Sequence, residues 1–168
     1  MHVEARRFIE GAVIKYGPFR GDIVEIGSQN VNGGIRNLFK SARSYLGIDI
    51  EEAEGVDLVI DAVKWQPKLK YDLVISMETF EHAPLWPQIL SVMASALKDR
   101  GIMLITCATT PRQPHSANKD KMRPERDEYY ENVDKNDFFR IATAIGLDCE
   151  VTTDNVRGDL YAVCRLKK

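Results

Sequence analysis

The stretch Val24-Glu25-Ile26-Gly27-Ser28-Gln29-Asn30-Val31-Asn32-Gly33-Gly34 decides how the rest of the chain is read. Val24 and Ile26 flank Glu25 in what reads as the end of a buried strand, Gly27 allows a sharp turn, and a polar loop leads to the glycine pair Gly33-Gly34. Further on, Tyr45-Leu46-Gly47-Ile48-Asp49-Ile50 reads as a second apolar strand that ends on an acid. Strand, glycine turn, helix start and a second strand closed by a carboxylate form the first βαβ unit of a nucleoside-binding fold.

Working outward, residues 3–16 carry Val3, Phe8, Ile9, Ala12, Val13 and Tyr16 at helical spacing, and Gly17-Pro18 ends the run. A helix is expected from about Gly33, with Ile35, Leu38 and Phe39 inward. Strand two covers 44–50. Val56–Ile60 reads as strand three, yet only Glu51 to Gly55 separate it from strand two, too few for an ordinary parallel crossover. A short strand three or a missing crossover helix follows. Tyr71–Ser76 is strand four, and Pro84 and Pro87 mark a helix that runs to about Lys98. Gly101 caps its exit before strand five, 102–106. Residues 108–133 are polar and irregular. Asp134 then caps a helix carrying Phe138, Ile141, Ala142 and Ile145, which stops at Gly146. Leu147–Thr153 and Asp159–Arg165 form a closing hairpin. Alternation of strand and helix implies one α/β domain over residues 1–168, a doubly wound, mostly parallel sheet with helices on both faces.

Composition sets wide bounds. The chain has 168 residues, 44% hydrophobic and 29% charged, with a net charge of −2. No membrane span, signal peptide or clear nucleic-acid surface is expected. Cys107, Cys149 and Cys164 all fall in expected strands without metal-like spacing, so inert buried thiols, a reducing cytoplasmic setting and no bound metal are expected.

The charge of the first loop selects the ligand. A dinucleotide turn reads Gly-x-Gly-x-x-Gly, and here Gln29 occupies the second glycine position. Glu25 repels a pyrophosphate and suits a cation. S-adenosylmethionine has an ammonium, a sulfonium and no phosphate. Asp49 suits its ribose hydroxyls, and Asp61, which closes strand three, suits the adenine amine.

These residues resemble a known family. Val24-Glu25-Ile26-Gly27-Ser28, Gly47-Ile48-Asp49-Ile50, Ile60-Asp61-Ala62, the block Asp72–His82 and the hairpin resemble the class I S-adenosylmethionine-dependent methyltransferases. Phe80-Glu81-His82 resembles the Leu-Glu-His of many small-molecule enzymes in that family. Gly27-Ser28-Gln29-Asn30-Val31-Asn32-Gly33 resembles a subgroup whose loop reads Gly-Ser-x-Asp-Val-Asn-Gly. Gln29 and Val31 depart from the commoner glycine-rich loop. The resemblance implies a seven-stranded sheet of order 3-2-1-4-5-7-6 with strand seven antiparallel. It implies Glu25, Gly27, Ser28, Gln29 and Asn30 around the methionine end, Asp49 and Ile50 at the ribose, Asp61 and Ala62 at the adenine, and Met77 and Glu78 near the methyl donor.

With no added substrate domain, acceptor selection falls to residues 1–20 and to 108–133, which leave the carboxyl edge of the sheet as an expected lid. The lid segment mixes Arg112, Lys119, Lys121, Arg123 and Arg126 with Asp120, Glu125, Asp127 and Glu128, which is no phosphate-binding stripe. His82 and His115 fall beside the expected pocket as candidates for a base or an orienting group. Two alternatives stand beside a methyltransferase acting on a small or accessible acceptor. One is a non-catalytic binding or protein-interaction module of the same fold. The other is a nicotinamide-dependent oxidoreductase, disfavoured by the glycine pattern.

Overall fold

The computed structural model describes residues 2–117 and 122–168; Lys119, Asp120 and Lys121 of the expected lid lie outside them. Helix α1 is Val3–Tyr16, with Ala5, Ile9 and Ala12 buried. The expected stripe is corrected at one end: Val3 is exposed and Ala5 takes the inward place. The strands are β1 Asp22–Ile26, β2 Ser44–Asp49, β3 Leu58–Val59, β4 Tyr71–Met77, β5 Leu97–Ala108, β6 Leu147–Asp154 and β7 Asp159–Leu166. Helices α2 and α3 are Trp86–Ala96 and Lys135–Ala144.

All seven strands join in one sheet of order β3-β2-β1-β4-β5-β7-β6. β5 to β7 and β6 to β7 are antiparallel, and the remaining pairs are parallel. Period-two alternation then builds two cores. Ile23, Leu73, Ile75, Leu104 and Val163 face one side, with Ile9 and Ala12 of α1. Val24, Ile26, Val74, Met103, Ile105 and Ala162 face the other, with Leu90 and Met93 of α2 and Phe138 of α3. Trp86 stacks between Phe80 and Phe138, and Trp65 tilts against Tyr71, so both tryptophans are packing residues.

The short connection from β2 to β3 has a simple cause. β3 holds two residues, pairing Ile48 with Leu58 and Asp49 with Val59. The chain therefore backs up by a single ladder step rather than a full strand length, and residues 50–57 suffice without a helix. The loop they form folds onto the β1 loop, where the Asn30 N–H donates to the Glu54 carbonyl at 2.8 Å.

Three expectations need correction. The helix after Gly33 is a single 3-10 turn, Arg36–Phe39. Asn30, Asn32, Gly33 and Gly34 spend the available chain on loop, and the remainder is too short to propagate an α-helix. Strand five begins at Leu97, directly after α2, where Leu97 pairs with Tyr71 ahead of an irregularity in the ladder. Gly101 is therefore a strand residue and not a helix cap. Finally, Cys149 and Cys164 stand opposite each other on β6 and β7 and form a disulfide, leaving Cys107 as the free, buried thiol. The ground for expecting a reducing setting from three unpaired thiols is thereby lost. Asp134 caps α3 as expected, accepting from the Asn136 and Asp137 N–H groups.

Candidate active site

The carboxyl ends of β1, β2 and β4 open into a cleft of about 1420 Å³. Every candidate residue lines it: Glu25, Gly27, Ser28, Gln29, Asn30, Asp49, Ile50, Asp61, Ala62, Met77, Glu78, His82 and His115.

Gly27 shapes the turn. Its φ is +76°, and a Cβ there would lie 2.0 Å from the Thr79 hydroxyl oxygen. Its N–H and that of Ser28 both donate to the Ile48 carbonyl, which ties the turn to β2. Glu25 is buried, and the Tyr45 hydroxyl donates to its Oε2 at 2.5 Å. Burial pushes the Glu25 carboxyl up to about 7, and the Tyr45 bond and the nearby Arg36 charge oppose that rise only in part. Asp49 accepts the Gln29 N–H at 2.9 Å on one oxygen and its neighbour's, Ile50, at 2.7 Å on the other. Both oxygens retain a free lone pair, enough for a vicinal diol. Asp61 caps the turn that follows β3 by accepting the Val63 N–H at 3.0 Å, and it still borders the cleft.

The β1, β2 and β3 side of the lining is thus rich in acceptors. It fits a cofactor bearing an ammonium, a ribose diol and an adenine amine, and it lacks the converging N–H groups a pyrophosphate requires.

Glu78 lines the cleft but is turned toward a cluster that lay hidden in the sequence. Its φ is +51°, a left-handed conformation unusual for a residue with a side chain. Thr106 donates to its Oε1 at 2.8 Å, and the His2 Nε2 lies 3.2 Å from its Oε2. His2 also lies 3.1 Å from Asp159, which Arg112 clasps from the segment after β5. Asp159 first and Glu78 second raise the His2 imidazole to about 10. Burial favours the neutral acid at both carboxyls, but His2 overcomes it, and Asp159 ends at about 2. His2, Arg112 and Asp159 carry no local signal. They meet because α1 packs beside β7 and because the ladder pairs Asp159 with Ala108 at the end of β5.

Residues of the segment after β5, among them Arg112, His115, Ser116 and Glu128, supply the far wall. Glu128 accepts from the Ser116 hydroxyl at 2.8 Å, and Asn132 holds the Arg112 carbonyl at 2.8 Å. Tyr130 meets the rings of His82 and His115 edge-on, with centroids 5.3 Å and 4.8 Å away. The two histidine rings are themselves 5.0 Å apart. Burial lowers both, His82 to about 4, so both are neutral near pH 7.

A doubly wound sheet with an antiparallel seventh strand and a cleft at its carboxyl edge define a nucleoside-cofactor-binding fold. The profile of the Methyltransferase domain family matches residues 10–150, and the chain belongs to that family. No curated protein sequence matches the chain. Among solved structures it is similar to an S-adenosylmethionine-dependent methyltransferase from Clostridium acetobutylicum, at TM-score 0.74 and 9% identity over 100% of this chain and 93% of that one. It is also similar to DhpI in complex with S-adenosylhomocysteine (SAH), at TM-score 0.67 and 19% identity over 99% and 88%. A third is the 1,6-didemethyltoxoflavin N1-methyltransferase of Burkholderia thailandensis, at TM-score 0.72 and 11% identity over 99% and 79%. Among the described residues no helix is long and apolar enough to cross a membrane.

Proposed function

We propose that this methyltransferase binds S-adenosylmethionine along the ends of β1, β2 and β3 and delivers its methyl group to a small acceptor held beneath residues 108–133. The observation that carries this reading is the acceptor-rich wall of the cleft, with the buried Glu25 carboxylate at one end, the Asp49 carboxylate in the middle and Asp61 at the other end. Glu25, Gly27, Ser28, Gln29 and Asn30 hold the methionine part through the Gly-Ser-x-Asn-Val-Asn-Gly loop. Asp49 and Ile50 hold the ribose, and Asp61 and Ala62 border the adenine.

Bound in the cleft, the cofactor supplies an electrophilic methyl group, and the protein supplies alignment. Met77 forms apolar wall near the donor. Glu78, clamped by Thr106 and His2, holds the floor where the acceptor enters. His82 and His115 stand on the acceptor side, where they orient the acceptor or take its proton. Ser116, Glu128 and Tyr129 close that side from the lid segment.

Calorimetry with S-adenosylmethionine, SAH and NADH tests the reading. Saturable binding of the first two, weakened at least tenfold by Asp49→Ala, is expected. Binding of NADH in preference to both would overturn it.

A further inference from the structure

Glu81 has an unusual environment for a carboxylate. Its side chain is completely buried, and neither oxygen makes a hydrogen bond among the described residues. Its backbone position is firmly held, since the Glu131 N–H donates to its carbonyl at 2.9 Å. The other buried carboxylates nearby are balanced: Glu78 and Asp159 share His2 and Arg112. Glu81 hydrogen-bonds to neither. Burial first and the Glu78 charge second push its carboxyl well above the usual carboxylate range, against the weaker pull of Arg112, so without a further cation it is held as the neutral acid. A buried carboxyl of this kind becomes a carboxylate when a cation takes the place of its proton.

What Glu81 does face is imidazole. A Glu81 oxygen and one nitrogen each from His82 and His115 all lie within 4.8 Å of one another. The Nδ1 of His82 is also buried without a partner. Ligands at about 2.0–2.2 Å from a common ion stand roughly 3–4 Å apart, so a small inward movement would complete the set. His115 sits on the lid segment, where such movement requires no change in the sheet.

We propose that Glu81, His82 and His115 bind one divalent transition-metal cation on the acceptor side of the cleft. Two imidazoles and one carboxylate select a borderline cation rather than magnesium or calcium, and they leave coordination positions open toward the cleft. This deepens the reading above, on which it rests for its catalytic meaning: the acceptor class becomes one with a hydroxyl that can ligate the ion. Such a hydroxyl releases its proton to solvent; its oxygen then forms the new bond to the methyl carbon as the carbon–sulfur bond breaks, and the bonding pair remains on sulfur. The second histidine cluster, His2 with Glu78 and Asp159, is the weaker candidate because Arg112 and Thr106 already engage its carboxylates.

The test is titration of chelator-stripped full-length protein with Co2+ alone, read by visible absorption and calorimetry. One saturable equivalent is expected, with visible bands that report nitrogen and oxygen ligands. His115→Ala and Glu81→Gln should each weaken it at least tenfold. Glu81 is a core residue, so its variant is checked by thermal melting, and His115→Ala carries the test if that variant does not fold. Absence of saturable binding at millimolar Co2+ would overturn the proposal. So would binding that survives His115→Ala but is lost in His2→Ala. Metal binding is measured without S-adenosylmethionine, and cofactor binding is titrated separately on the wild-type protein. Failure of one therefore leaves the other standing.

Discussion

The Glu25 carboxyl should make cofactor affinity rise with pH. Burial holds it at about 7 in the free protein, where an exposed glutamate sits at 4.5. Near pH 6 most molecules carry a neutral Glu25, and a cationic ligand must first displace that proton. Between about pH 6 and about pH 7.5 the ionised fraction rises roughly eightfold for a group at pKa 7, and the affinity for S-adenosylmethionine should rise by the same factor. Calorimetry across that window reads it directly. Glu25→Gln should abolish the pH dependence and hold affinity at or below the value of the wild type near pH 6. The sign for stability runs the other way. The folded state keeps the proton that the unfolded chain loses between 4.5 and 7, so unliganded stability falls as pH rises through that window. A shift of this size amounts to about 3 kcal/mol at most, and Glu25→Gln should recover part of it above pH 7. Denaturant melts at about pH 5.5 and about pH 8 measure this. A wild-type affinity that is flat with pH, or a Gln variant that keeps the slope, would refute the assignment of Glu25 to the cationic end of the cofactor.

Gly27→Ala should lose cofactor binding and destabilise the fold by about 1–3 kcal/mol, because the turn needs φ at +76° and a Cβ would collide with Thr79; urea melts with parallel calorimetry check both effects. Thiol titration of the unreduced protein in denaturant should find one reactive cysteine, Cys107, with Cys149 and Cys164 paired. Three reactive thiols would show that the hairpin is not bridged.

Much of the candidate site was legible because it is local. Glu25 and Gly27 lie on one strand and its turn, Asp49 closes the next apolar run, and the tight spacing to Val56 pointed to a short strand three or a missing crossover helix. The strand order followed from the resemblance, and the ladder bears it out. The helix read after Gly33 was misjudged because inward apolar residues mark a buried turn as well as a helix. Strand five was cut short because the charged residues Lys98, Asp99 and Arg100 hid its first part. There the Lys98 ammonium lies 2.7 Å from Asp72.

Sequence alone therefore determined the order of elements, the βαβ unit and the acids placed at strand ends, since strand periodicity and turn chemistry act between neighbours along the chain. Contacts across the sheet were decided only by tertiary structure. The β6–β7 register set Cys149 against Cys164, and the β5–β7 register carried Asp159 to the end of β5, where it meets His2 and Arg112. The seat of α1 beside β7 turned His2 from a terminal residue into the partner of two buried carboxylates. Packing also left Glu81 unpaired beside His82 and His115. Burial and long-range pairing set the charge state of each of these groups, and neither is encoded in local spacing.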